Sequence, residues 1–132
     1  MSQPTTVFLE HIELLIEWRD LAKTIRSGKL PNAQHLLVRY MSLSEEITKN
    51  SNKTSQQWVY REALKCLEET ICDTLISPTW RYACADYLYR PIQALAKAAK
   101  DKKDKDEFRI LSRQAYQQCR YFLCSSPYHI HI

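Results

Sequence analysis

The sequence predicts an all-α fold, a bundle of four to five helices that forms a single domain over residues 1–132, with tails at 1–5 and 125–132. Apolar residues recur at the helical period of about 3.6 residues in five segments. Gly28 is the only glycine, whereas β-sandwiches, barrels and nucleotide-binding loops need several. Hydrophobic residues make up 45% of the chain and charged residues 26%, which is typical of a folded protein with one core.

The first segment, residues 7–26, carries two adjacent apolar stripes. Thr6 is placed to cap its start, and Gly28 follows its end, where a left-handed residue is favoured. One stripe includes Ile12 and Ile16. So wide an apolar arc predicts a helix that either is central in the bundle or buries its second stripe against another copy of the chain. The candidates for that homodimer interface are Leu14, Trp18, Leu21 and Ile25.

The next two segments have the pattern of ordinary amphipathic helices. Residues 31–49 begin with a proline, which is favoured at the first helical position. A polar link, residues 50–54, leads into the third helix, where Thr54 and Gln57 have the spacing of a capping box. Trp58 falls on the polar side of this helix, and we expect it to pack locally under the link.

The fourth segment contains an internal proline. Ser77 and Pro78 are a cap followed by a proline at the first helical position. Pro91 removes the hydrogen bond to the carbonyl of Tyr87 and should kink or break the helix. Because the apolar phase continues across this point, the sequence predicts one kinked fourth helix that reaches about Lys100.

The excess positive charge lies towards the C-terminus. The formal net charge is +4, and residues 97–120 account for all of it with eight basic and four acidic side chains. Asp104 and Glu107 have the spacing of a second capping box, which predicts a fifth helix that ends near Leu123. Its predicted core-facing residues are Phe108, Leu111, Ala115, Cys119 and Phe122.

One face of the fifth helix groups three arginines around a tyrosine, namely Arg109, Arg113, Tyr116 and Arg120. Guanidinium groups match carboxylates and phosphates in geometry, which indicates a binding surface. Two other interpretations stay open. The face is simply solvated, or it pairs internally with the acidic strip of the first segment, formed by Glu10, Glu13, Glu17 and Asp20.

The fourth segment adds an aromatic set to this surface. Tyr82 and Tyr89 lie one heptad apart on the face that also carries Arg90. Tyrosine and arginine dominate binding hot spots, so we predict that these three residues contribute to the same partner-binding surface. The alternative is that both tyrosines cover a neighbouring loop with their hydroxyls in water.

The sequence predicts neither a metal site nor a cofactor. The acidic strip lacks the Glu-x-x-His pairs of helical di-metal proteins. A second set departs from the spacing of zinc ligands. It consists of Cys119, Cys124, His129 and His131. The alternation of apolar and polar residues over 128–132 instead favours a short extended segment.

Catalytic and membrane functions are also not predicted. No nucleophile-elbow, P-loop or zinc-protease motif occurs. The five cysteines are an odd number and fall in helical segments, which indicates free thiols in a reducing compartment, the cytoplasm. The longest apolar run is too short to span a bilayer, and the first residues lack the features of a secretory signal.

These observations predict a non-catalytic cytoplasmic protein that acts by binding another protein, as an adaptor, regulator, chaperone or immunity-type protein. Homodimerisation through the first helix is a separate hypothesis. The alternative is a nucleic-acid-binding regulator that uses the basic strip of the last helix, although no helix-turn-helix, zinc-finger or RRM signature accompanies it. An enzyme whose site is assembled only in three dimensions is the third interpretation.

Overall fold

The computed structural model describes residues 12–124, and every regular element in that range is a helix. The elements are α1 (Ile12–Ser27), α2 (Gln34–Thr48), α3 (Lys53–Cys72), α4 (Pro78–Asp86), α5 (Tyr89–Ala98) and α6 (Lys102–Cys124). Because α4 and α5 are the two arms of one bent helix, the predicted all-α bundle is confirmed with five helices. None of these helices is long and apolar enough to cross a bilayer. The predicted tails and the Thr6 cap lie outside the described residues.

The central helix is α3, which packs against each of the others. Of the two alternatives expected for the first helix, the central position is wrong, since α1 packs mainly against α2 and α3. Two small polar residues of α3, Ser55 and Thr70, are buried. The Thr70 hydroxyl donates to the carbonyl of Cys66 in its own helix at 2.8 Å. The buried face of α3 is therefore wider than its apolar residues indicate.

The bundle alternates in direction. The end of α1 meets the end of α3 where Arg26 pairs with Asp73 at 2.8 Å. The start of α3 meets the start of α6 where Lys53 pairs with Asp104 at 2.9 Å. Helices α1, α3 and α6 therefore run parallel to one another, and α2 and the bent helix return between them.

The stripe of α1 that was predicted to form a dimer interface is instead the stripe that enters the core. Trp18 and Ile25 are 3% and 0% exposed, and Leu14 and Leu21 are half-buried against the core. The Trp18 indole N–H donates to the buried Ser44 hydroxyl at 2.9 Å. Since indole needs such a partner when it is buried, Trp18 and Ile25 face the core of the chain and are not exposed on an outer face of α1.

The bend of the fourth helix falls at Tyr87 and Leu88, three to four residues before Pro91. Pro91 lies in the first turn of α5, where a missing N–H is tolerated. The Tyr87 carbonyl, which loses its usual partner, accepts from the Arg90 N–H at 3.1 Å. Leu88 and Ile92 are both buried, so the apolar face continues across the bend as the sequence predicted. The second arm ends at Ala98.

The predicted capping boxes at Thr54 and Asp104 are wrong, because other residues cap these two helices. Asn52 caps α3, where its side chain accepts from the Ser55 N–H at 2.8 Å. Asp101 does the same at the start of α6, where it accepts from the Asp104 N–H at 2.8 Å. The predicted C-terminal role of Gly28 is confirmed, because its φ is +65° and its N–H donates to the Ile25 carbonyl at 3.2 Å.

Arg81 joins the ends of three helices. Its side chain is 4% exposed. The Nε–H donates to the Ile71 carbonyl of α3 at 2.8 Å, and a terminal N–H donates to the Phe122 carbonyl of α6 at 3.1 Å. The final turns of helices carry carbonyls that lack intrahelical partners and a partial negative charge. The buried guanidinium satisfies two such groups, and it fixes α6 against α3.

Candidate functional site

Helix α6 buries one side and exposes the other. The predicted core-facing residues are confirmed, since Ala115 is buried and Phe108, Leu111, Cys119 and Phe122 pack half-buried against the core. With 23 residues, α6 is about 35 Å long. The opposite side therefore offers an extended, straight surface.

We call that surface the α6 outer face. It combines six basic side chains with three large apolar or aromatic ones, all of them exposed. The members are Lys102, Lys103, Lys105, Arg109, Ile110, Arg113, Tyr116, Arg120 and Tyr121. Ile110, Tyr116 and Tyr121 are 58%, 52% and 69% exposed, so their rings and chains are not used by the core.

At the start of α6, most acidic side chains pair with α3, whereas the lysines point to solvent. Asp104 accepts from Lys53 of α3 at 2.9 Å, and Glu107 accepts from Arg61 of α3 at 2.9 Å. Asp101 lies 3.9 Å from the same Lys53. The hydrogen bond from Lys53 lowers the pKa of Asp104 and raises the pKa of the lysine. Three acids of this run, Asp101, Asp104 and Glu107, thus face α3, while Lys102, Lys103 and Lys105 remain exposed.

The arginines of the α6 outer face are little used within the chain. Arg109 lies 3.5 Å from Asp106 one turn away. Within the described range of 12–124, neither Arg113 nor Arg120 forms an ion pair. These groups are exposed, and they present three guanidinium groups around Tyr116 as the sequence predicted.

The described acids of the acidic strip on α1 do not pair with the arginines of α6. Glu17 pairs with Arg39 of α2 at 2.8 Å, and that hydrogen bond lowers the pKa of the glutamate. Glu13 and Asp20 are exposed on α1. Glu10 lies outside the described residues. Among residues 12–124, therefore, no acid of the first helix pairs with the arginines of the α6 outer face.

Two of the three residues predicted on the fourth helix serve internal contacts. The Tyr82 hydroxyl donates to the Leu123 carbonyl at 3.0 Å, at the end of α6. Arg90 pairs with Glu45 of α2. Because these two residues engage different helices, they are removed from the predicted surface. Tyr89 is 45% exposed and stays a candidate.

A second feature, which the sequence did not predict, is a groove of about 600 Å³ between α1 and α3. Its base contains Trp18, Tyr40 and Trp58. The Trp18 and Tyr40 rings are stacked with their centroids 5.6 Å apart, and Trp58 is tilted against Trp18 at 5.8 Å. Trp58 is therefore a core residue and not a cover for the 50–54 link.

The walls of this α1–α3 groove are charged. The α1 wall carries three bases and the α3 wall carries one base between two acids. These residues are Arg19, Lys23, Arg26, Glu62, Lys65 and Glu69. Their spacings of three, four and seven residues are visible in the sequence, but they describe any exposed helix face. Only the packing of α1 and α2 against α3 sets them around aromatic rings.

Buried thiols near the groove are poor nucleophiles. Cys66 lines the groove, and burial raises its pKa to about 12. Its thiol donates to the Ala22 carbonyl at 3.6 Å. Burial raises the pKa of Cys84 to about 12 as well. Because the thiolate is the reactive form of cysteine, neither group is activated at neutral pH.

Metal-ligating side chains do not cluster in the part of the chain that the structure describes, where no three His, Cys, Asp or Glu residues are grouped as metal ligands. His129 and His131, along with the Cys124 side chain, belong to the parts that are not described. The zinc interpretation of that set stays untested.

Comparison with known proteins supplies no relative for this chain. It matches no protein-family model, no curated protein and no solved structure. The two surfaces, the α6 outer face and the α1–α3 groove, are what bears on function.

Proposed function

We propose that the chain is a non-catalytic binding module, an adaptor or regulator, that holds an acidic protein partner on the α6 outer face. The observation that carries this proposal is that acids at the start of α6 pair with α3, whereas the neighbouring lysines stay exposed. Asp104 and Glu107 are paired with α3, so their carboxylates do not neutralise the neighbouring lysines. The exposed bases form an anion-binding surface that is about 27 Å long from Lys102 to Arg120.

A protein suits this surface better than the backbone of a nucleic acid. Ile110, Tyr116 and Tyr121 are all more than half exposed beside the arginines. Protein interfaces are enriched in tyrosine and arginine, whereas a phosphate backbone is bound chiefly by cations. We infer a partner that offers both carboxylates and an apolar patch.

We also propose a cytoplasmic location. Cys66, Cys72, Cys84 and Cys119 are free cysteines. Free thiols that are buried or half-buried are common in reducing compartments. Expression of the untagged chain with a compartment-specific thiol label would test the location.

The decisive experiment reverses charge on α6 and compares a matched control. The double variant Arg109→Glu, Arg113→Glu changes exposed residues of the α6 outer face, and the control Lys29→Glu, Lys49→Glu changes the net charge equally at exposed sites elsewhere. A partner captured from nuclease-treated extract is purified, and its affinity for each variant is measured by calorimetry. We expect the α6 variant to bind about tenfold or more weakly, and the control to bind like wild type.

Two results would contradict the proposal. One is full affinity of the Arg109→Glu, Arg113→Glu variant for the partner. The other is a ligand that nuclease removes and whose affinity falls steeply with salt, which would identify the nucleic-acid alternative instead.

A further inference from the structure

We propose that the α1–α3 groove binds a small molecule composed of a planar apolar ring and one anionic group. The site is separate from the α6 outer face, since it is formed by α1 and α3 over Tyr40 of α2. Its volume of about 600 Å³ lies within the range of small-molecule sites, roughly 300–1,000 Å³. The inference does not depend on the proposed function of α6.

The base of the groove selects for a ring. Trp18, Tyr40 and Trp58 are packed against one another, and the methyl group of Ala22 lies beside them on the α1 wall. The Trp18 ring is fixed by its hydrogen bond to Ser44 at 2.9 Å. A rigid base of this kind is preorganised, so a ligand ring loses little binding energy to reordering of the site.

The walls select for an anion. Arg19, Lys23 and Arg26 stand at successive turns of the α1 wall, and Lys65 faces them from α3. Arg26 is held in place by Asp73 at 2.8 Å. Lys23 and Lys65 form no ion pair within residues 12–124. Two ammonium groups are thus available to a ligand carboxylate or sulfonate.

Carboxylates of the α3 wall limit the charge of the ligand. Glu62 and Glu69 flank Lys65 on that wall. A second anionic group on the ligand would be placed against one of these acids, where like charges repel. The groove therefore suits a monoanion and not a polyphosphate such as a nucleotide.

The bound molecule is held without a covalent bond. Cys66 is the cysteine that lines the groove, and burial raises the pKa of its thiol to about 12, so it stays protonated at neutral pH. The aromatic base and the two lysines supply non-covalent contacts, and binding by such contacts is reversible.

Calorimetry with three probes tests the ligand class. The probes are naphthoate, naphthylmethylammonium and acetate, titrated into the full chain. We expect saturable one-to-one binding of naphthoate, about tenfold weaker binding of the cation of the same shape, and no binding of acetate. Absence of saturable naphthoate binding would overturn the proposal, as would equal affinity for the two naphthalene probes.

Two variants and a control locate the probe. Ala22→Phe fills the groove from its wall, and Lys23→Glu, Lys65→Glu reverses the two available cations at exposed positions. We expect each to weaken naphthoate binding about tenfold. The control Ala96→Phe adds the same side chain at an exposed site on α5 and should bind like wild type.

Circular dichroism shows whether Ala22→Phe folds. If it does not, Lys23→Glu, Lys65→Glu still tests the site, because both substitutions are at exposed positions. Naphthoate affinity that is unchanged in Lys23→Glu, Lys65→Glu would overturn the site. Failure of this experiment leaves the α6 proposal unaffected, since that proposal is measured on different residues with a protein partner.

Discussion

The α6 outer face and the α1–α3 groove use the same kinds of side chain in opposite arrangements. On α6, Tyr116 and Tyr121 are more than half exposed, and bases lie beside them. In the groove, Trp18 and Tyr40 form a buried base, and the charges stand on the walls. Aromatic rings in the groove therefore belong to the core and also line the groove, whereas those on α6 are largely exposed.

The two regions also differ in how their charges are held. Arg26 on the groove wall is fixed by Asp73, whereas Arg113 and Arg120 of α6 reach into solvent. Salt screens exposed charges over a distance of about 10 Å at 0.1 M ionic strength, and the α6 outer face presents six exposed bases whereas the groove offers two available lysines. We expect binding on α6 to weaken more steeply with salt than binding in the groove.

The largest effect is expected from Trp18→Ala, which tests whether the base of the groove carries stability. The change removes a buried ring that stacks on Tyr40 and donates to Ser44, so the free energy of unfolding should fall by about 3–5 kcal/mol. Urea denaturation followed by circular dichroism measures this. The matched change Tyr116→Ala on α6 should alter stability by no more than about 0.5 kcal/mol. Equal losses in the two variants would end the distinction between the regions.

A smaller loss of unfolding free energy is expected from Arg81→Met. This variant should weaken the attachment of α6 more than the packing around the α1–α3 groove. Methionine keeps much of the packing but leaves the Ile71 and Phe122 carbonyls without the donors that the guanidinium supplies. Since an unsatisfied buried acceptor costs about 1–3 kcal/mol, while removal of a buried charge offsets part of that cost, we expect a net loss of about 2 kcal/mol.

Amide hydrogen exchange shows where that loss falls. Protection should decrease most in the last turns of α6 and less around the groove in α1 and α2. The control is Arg113→Met, which changes an exposed arginine and should leave exchange as in wild type. If Arg81→Met exposes the amides of α1 as much as those of α6, Arg81 does not act on α6 selectively.

Periodicity predicted the helices and the bend, because both depend on residues close together in the sequence. It could not choose between the two apolar stripes of α1, since Ile12 and Ile16 are as apolar as Trp18 and Ile25. The choice depends on Ser44, which lies 26 residues from Trp18 along the chain and accepts its N–H. Such a contact leaves no periodic signal.

The candidate sites divide in the same way. Arg109, Arg113 and Tyr116 lie on one helix, so their spacing alone predicted a common face. Tyr82 and Arg90 also had the right spacing, but their partners, Leu123 and Glu45, belong to distant helices. The α1–α3 groove needs three helices in contact before any of its features exist, and hence no local pattern could predict it.

The smallest effect on stability is expected from Lys53→Met, which removes the α3 partner of Asp104. The lysine lowers the pKa of Asp104, so the pair stabilises the folded state above the ordinary pKa of aspartate, and this stability is lost as pH falls through the lower folded-state value. Lys53→Met should therefore be less stable than wild type at neutral pH, and the difference should disappear as pH falls below the lowered pKa of Asp104. Urea denaturation at neutral pH and below that pKa measures the difference.

The control for that variant is Lys103→Met, which removes an exposed lysine of the α6 outer face that pairs with no residue in 12–124. Its stability should equal that of wild type at both pH values. Without Lys53, the negative charge of Asp104 is no longer balanced by α3 and partly neutralises the neighbouring lysines, so the acidic partner should bind Lys53→Met more weakly. Unchanged partner affinity combined with the expected loss of stability would show that the ion pair supports the fold but does not prepare α6 for binding.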